Sequence, residues 1–126
     1  MSSFRSVLIC LLSAVMLMAT FTTGCQYKVP LMPAPVEVTG KLTKGGQPFG
    51  DVILMLQPLQ TGHPVPLTVK PDGSFKGSIV PGKYAYYITP VESSSAIDSV
   101  DASFKEASMS RTVTIEPGQS QLDVGI

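Results

Sequence analysis

Hydrophobic and polar positions divide the chain into two regimes. From Val7 to Phe21 the sequence is an almost unbroken apolar run, interrupted by Ser13 and Thr20. From Val36 onward the pattern changes to a period of two, the repeat of a half-buried β-strand rather than a helix. Val36, Val38, Gly40 and Leu42 alternate with Glu37, Thr39, Lys41 and Thr43, which predicts a first strand. Lys44-Gly45-Gly46-Gln47 supplies a turn. Val52–Leu56 is continuously apolar, as expected of a strand in a crowded core, and Pro58 stops it.

Val65–Lys70 alternates again, and Pro66 demotes it to a sheet edge because proline cannot donate to a ladder. Pro71-Asp72-Gly73-Ser74 is a strong turn signal that leads into a strand over Phe75–Val80. Pro81-Gly82 turns the chain into Lys83–Thr89, with Tyr84, Tyr86 and Ile88 on one face and Ala85 and Tyr87 on the other. The segment 91–110 breaks the pattern. After a polar stretch containing Ser93-Ser94-Ser95, Ile97, Val100 and Phe104 recur at helical spacing and predict a turn or two of helix within a long loop. A closing hairpin is expected from Arg111–Glu116, the turn Pro117-Gly118-Gln119, and Leu122–Ile126. Seven short strands with frequent turn signals between Val36 and Ile126 predict an all-β, immunoglobulin-like sandwich.

Composition agrees with short strands and tight turns. Eleven glycines and eleven prolines in 126 residues disfavour long helices. Nine basic and nine acidic side chains balance. Such neutrality argues against the basic face that nucleic acid requires and the polybasic patch that anionic lipid attracts.

The N-terminal run reads as an address. At 15 residues it is shorter than the roughly 20 of a membrane span, and it fits the apolar region of a secretory signal. Arg5 is the one charge before it. Small residues and a cysteine follow at once, as a cleavage site requires, which disfavours a buried or membrane-spanning helix. Thr22-Thr23-Gly24-Cys25 resembles the bacterial lipobox, in which a signal is cleaved after small residues and the next cysteine receives a diacylglycerol. Thr22 stands where that pattern usually carries Leu. The resemblance implies cleavage between Gly24 and Cys25 and lipid attachment at Cys25. Of the two cysteines, Cys10 lies in the removed segment, so Cys25 has no internal disulfide partner, and lipidation accounts for it. The alternative is ordinary cleavage nearby, leaving Cys25 a free thiol.

The expected organisation is therefore a signal peptide over 1–24, a lipidated terminus and Pro-rich linker over 25–35, and a sandwich domain over 36–126. Pro30, Pro33 and Pro35 make the linker extended and semi-rigid. Gln26, a non-Asp residue after the cysteine, is permissive for outer-membrane sorting in some bacteria. The protein is expected to be exported and membrane-anchored, at the outer membrane or the periplasmic face of the cell envelope.

Val38-Thr39-Gly40-Lys41-Leu42 with Gly46-Gln47-Pro48-Phe49, then Asp72-Gly73-Ser74-Phe75 and Pro81-Gly82-Lys83-Tyr84, resemble the motifs of transthyretin-like, carboxypeptidase-regulatory-like domains. So do Thr112–Glu116, Pro117-Gly118 and Leu122-Asp123, which resemble the closing hairpin of small bacterial lipoproteins with this domain. The resemblance covers nearly all of 36–126. It implies a prealbumin-like sandwich; it does not imply peptidase activity, since in carboxypeptidases the module accompanies a separate catalytic domain. It also suggests a tyrosine corner, in which the Tyr84 hydroxyl bonds nearby backbone. Gly40 is expected at a bulge or close strand approach.

Catalytic and metal chemistry find little material. His63 is the single histidine, and a structural zinc site wants four ligands. Asp98 and Asp101 with nearby Glu106 lack the dense acidic pattern of a calcium loop. No catalytic residue, metal site or cofactor is expected, and the chain reads as non-enzymatic. Two functional readings remain. One is an envelope-anchored structural or protein-interaction module, held at the membrane by its lipid. The other is a small-ligand or glycan binder using Tyr87, Phe104 and the 91–110 loop, since an exposed tyrosine offers a stacking face with a polar tip.

Overall fold

A computed structural model describes residues 31–126. Residues 1–30, with the expected signal peptide, Gly24, Cys25 and most of the expected linker, lie outside the described residues. Leu31 and Met32 are exposed, and β1 begins at Val36. Eight strands follow in chain order: β1 (Val36–Lys44), β2 (Gln47–Pro48), β3 (Val52–Pro58), β4 (Val65–Val69), β5 (Ser74–Ile79), β6 (Gly82–Pro90), β7 (Thr112–Ile115) and β8 (Val124–Gly125). They form two four-stranded sheets. In one, β1 lies between β5 and β2 along one edge and β8 along the other; the second has the order β4-β3-β6-β7. The domain is an all-β sandwich, as the period-two pattern predicts.

The sheets face each other through the alternate residues of each strand. Val38 and Leu42 of β1 meet Val52, Leu54 and Leu56 of β3, Leu67 and Val69 of β4, Phe75 and Ile79 of β5, and Ile88 and Ile115 in one buried cluster. Burying each such side chain stabilises the fold by about 1.5–3 kcal/mol. On β3 the inward residues are fully buried, while Ile53 and Met55 on the other face are half-buried. That is why an apolar run stands where simple alternation would not need one. Pro66 lies on β4, an edge strand, where its missing N–H leaves no gap in the ladder.

The turns take the shapes their residues favour. Gly45 and Gly46 both have positive φ, +57° and +83°, and join β1 to the two-residue β2. Between β4 and β5, the Gly73 N–H donates to the Lys70 carbonyl and the Lys70 N–H to the Ser74 carbonyl. This turn carries the chain from one sheet to the other. Gly73 has φ +83°, and a Cβ there would come within 2.7 Å of the Leu42 carbonyl oxygen.

One expectation is met in a tighter form and one changes. The helical spacing of 91–110 resolves into two short 3-10 helices, η1 (Ala96–Ser99) and η2 (Ala102–Phe104). Of the three spaced residues only Val100 is fully buried. The last two strands do not form a hairpin. β7 stays with β6, and the chain then crosses to the other sheet, where β8 pairs parallel with β1. The reason lies in the free edge of β1. Its even-numbered residues are bonded towards β5, so Thr39, Lys41 and Thr43 present unpaired backbone groups on the opposite edge. The C-terminal segment satisfies them: Thr39 N–H donates to Ser120, Leu122 N–H to Thr39, and Ile126 N–H to Thr43. Pairing β8 with β7 would have left that edge open.

Candidate functional site

The outward face of the β1 sheet carries an open groove of about 830 Å³. Period-two alternation builds it. Thr39, Lys41 and Thr43 point outward from β1 because Val38 and Leu42 point in. Antiparallel register sets Lys41 beside Ser74 and Thr39 beside Lys76 on β5. Gln121 and Asp123 supply the opposite wall from the C-terminal segment, and Lys70 closes the end at the β4–β5 turn.

Gly40 holds the two walls together. A Cβ at this position would stand 1.7 Å from the Leu122 carbonyl oxygen and 2.8 Å from the Phe75 ring. Glycine is what allows the C-terminal segment to approach β1 so closely. At the next residue the ladder is made by a side chain: Lys41 N–H donates to Asp123 Oδ1 at 3.1 Å. The register is nevertheless continuous, with Thr39 opposite Gln121 and Leu42 opposite Val124. Asp123 Oδ2 accepts from Gln121 Nε2 at 3.1 Å.

Asp72 lies near the end of the groove and is committed in the same way. Its Oδ1 accepts from the Ser74 hydroxyl at 2.6 Å and from the Ser74 N–H at 3.0 Å. These bonds, with smaller contributions from Lys70 and Lys41, hold its carboxyl below the usual carboxylate range. Asp123 spends both of its oxygens on the protein's own donors, and Asp72 spends Oδ1. The ammonium groups of Lys41, Lys70 and Lys76 are exposed and make no hydrogen bond within the described residues, whereas Lys44 donates to the Ser99 carbonyl.

The structure puts Tyr87 and Phe104 elsewhere. Tyr87 is half-exposed on the outward face of the other sheet, opposite Met55. Phe104 is half-buried at the end of η2 and lies under Arg111, whose guanidinium carbon is 4.7 Å from the ring centroid. Neither residue lines the groove. Arg111 was not singled out by the sequence, yet it ties down the long loop by donating from Nη2 to the carbonyls of Ser103 and Glu106, the latter at 3.0 Å. His63 is exposed, and the Asp101 carboxylate is occupied in capping η2 through the Ser103 N–H at 2.8 Å. Among the described residues no three His, Cys, Asp or Glu side chains gather to hold a metal. Cys25, the expected lipid site, lies outside the described residues.

No protein-family model matches this sequence, and no curated protein is significantly similar to it. Among solved structures it is similar to a DUF3823 family protein from Bacteroides ovatus, with 20% identity and a TM-score of 0.47 over 72% of this chain and 43% of that one. A DUF3823 family protein from Parabacteroides merdae gives 19% identity and a TM-score of 0.47 over 74% of this chain and 46% of that one. The chain spans less than half the length of either.

Proposed function

We propose that this chain is an exported bacterial lipoprotein whose β-sandwich acts as a non-catalytic structural or interaction module at the cell envelope. The observation that carries the reading is the placement of Cys25. It follows a 15-residue apolar run and three small residues, and it is the sole cysteine once the leader is removed. A diacyl modification there supplies two chains, and each buried CH₂ contributes about 0.8 kcal/mol to membrane binding. The first strand begins at Val36, so a short proline-rich tether joins the anchor to the sandwich.

Features of the domain support the transthyretin-like, carboxypeptidase-regulatory-like reading of the fold. The Tyr84 hydroxyl donates to the Val80 carbonyl, the contact expected of a tyrosine corner. Gly40 sits at the close approach expected from its place in the first motif.

The test is to express the full chain in a bacterial host and measure intact mass and membrane partitioning, beside Cys25→Ala. The reading requires a wild-type chain beginning at Cys25 with an acyl increment, and loss of both the increment and membrane association in the variant. An unmodified Cys25 on a soluble chain would overturn it and make thiol-linked dimerisation the next question.

A further inference from the structure

We infer that the outward face of the β4-β3-β6-β7 sheet is a docking surface for a second copy of this chain, packed face to face with its strands antiparallel to the first. The inference deepens the proposed interaction module by naming its partner, and it rests on the anchored reading only for local concentration.

Two observations carry it. The first is the contrast between the two outward faces of the sandwich. Glu37, Lys41, Lys76 and Asp123 stand exposed on the β1 sheet. In the other sheet Lys83, at the start of β6, is the one charged residue in any of the strands. The centre of its outward face is apolar. Register sets Met55 between Pro66 and Tyr87, with Ile53 two residues away along β3 on the same face. Ile53, Met55 and Tyr87 are half-buried and stand apart from the core cluster, which takes the alternate residues of the same strands. A face kept for water has no reason to shed its charges, as the β1 sheet illustrates. The centres of protein interfaces are depleted of charge and enriched in Tyr and Met.

The second is the placement of charge at the two ends of that face. Val52 pairs with Pro90, so Asp51 and Glu92, both exposed, lie just beyond one end of β3 and β6. Lys83 lies at the other end, about 20 Å away along the strand. Two copies meeting face to face by a two-fold axis have two simple arrangements. An axis along the strands sets Lys83 against Lys83 of the partner subunit. An axis across the strands sets Lys83 against Asp51 and Glu92 of the partner subunit, twice by symmetry. The charges select the second, because a neutral centre with one basic and one acidic end is complementary to its own reversed copy. The face is small. Four strands about 4.8 Å apart and about 20 Å long offer on the order of 400 Å² per copy, roughly half of a standard interface. Such a pair separates in dilute solution and forms where anchored copies share a membrane, which raises their effective concentration.

The experiment is disulfide cross-linking of the full chain in the membranes of a bacterial host, with Lys83→Cys and Asp51→Cys combined. Within one chain these positions are too far apart for a disulfide, whose Cα atoms lie within about 7 Å, so a bond between them joins two copies. The proposal expects oxidation to give a dimer in the double variant, severalfold more than in either single variant. Adding Tyr87→Lys should cut the yield by about tenfold, because it buries an unpaired charge at the centre. Ser78→Lys, exposed on the opposite face of the sandwich, should leave it unchanged. A second probe, Met55→Cys joined to its copy by a short bis-maleimide, reads the end charges. Lys83→Glu should lower its yield, and adding Asp51→Lys and Glu92→Lys should restore it, which a misfolded variant would not do. No dimer from the double variant, as much from Lys83→Cys alone, equal yield after Tyr87→Lys, no recovery on charge exchange, or a product whose mass is not twice that of the chain would each overturn the proposal. The chain without added cysteines reads the anchor separately: a disulfide dimer there marks a free Cys25, and the added cysteines are then read in Cys25→Ala.

Discussion

The Tyr84 hydroxyl donates to the Val80 carbonyl at 2.6 Å, bridging the Pro81-Gly82 turn from a residue four positions earlier. The ring is 5% exposed, and burial pushes the hydroxyl pKa above its usual 10.0. The contact pins the start of β6, on which both β3 and β7 depend for pairing.

Tyr84→Phe keeps the ring and removes the bond, and it should lower stability by about 1 kcal/mol in urea denaturation. The pH dependence should change with it. Because the folded pKa is raised, the folded state holds the proton more tightly than the unfolded chain. Stability is then intact below pH 10 and falls as pH rises beyond it. The variant should lose that contribution to the alkaline decline; an unchanged alkaline limb would remove Tyr84 as its source.

Gly40→Ala should be far more damaging than Gly77→Ala. At Gly40 the new Cβ meets backbone, the Leu122 carbonyl, at 1.7 Å, whereas at Gly77 it meets the Cδ2 tip of Leu67 at 2.2 Å. A leucine tip can rotate away at a cost of about 1–3 kcal/mol. Backbone cannot, so the C-terminal segment should detach from β1. Hydrogen exchange at Leu122 and Ile126, whose N–H groups donate to Thr39 and Thr43, should speed up in Gly40→Ala. Protection equal to wild type would show that the two chains do not depend on this glycine.

Asp72 provides an acid-sensitive element in the β4–β5 turn. Its folded pKa lies below the ordinary 3.8, chiefly through the Ser74 hydroxyl and N–H. Its stabilisation is complete above that ordinary value and is lost as pH falls through the depressed folded one. Asp72→Ala should destabilise the domain at pH 7 and match wild type more closely at pH 2. Denaturation midpoints at the two pH values test this, and an equal gap at both would assign the effect to something other than the carboxylate.

Arg111→Gln should loosen the long loop without unfolding the sandwich. It removes the hydrogen bonds to the Ser103 and Glu106 carbonyls and the stacking on Phe104. Bonds to a charged donor contribute about 1.5–3 kcal/mol each, less where exposed. Proteolysis between η2 and β7 should accelerate while the strands of the core stay protected. Global unfolding would instead make the loop part of the core's stability.

Fold class was legible from residue order alone. Period-two alternation depends on the geometry of a strand, and Pro-Asp-Gly and Gly-Gly turns act through local φ preferences, so both can be read without knowing what lies across the molecule. The edge position of β4 was legible too, because Pro66 removes its own donor whatever the neighbours are. Tyr84 and Gly40 were recognisable from their motifs.

Tertiary structure decided partnership. The alternation of Leu122, Val124 and Ile126 shows which face they bury but not which strand they join. The free edge of β1, some eighty residues away in sequence, settled that. The groove follows from the same crossing, since Gln121 and Asp123 reach Lys41 only once the last strand lies beside β1. The clamp of Arg111 was equally hidden, because its hydrogen bonds go to backbone carbonyls, which every residue type offers alike. Sequence carries local geometry and the facing of side chains; pairing between distant segments is set by which backbone edges would otherwise be buried without partners.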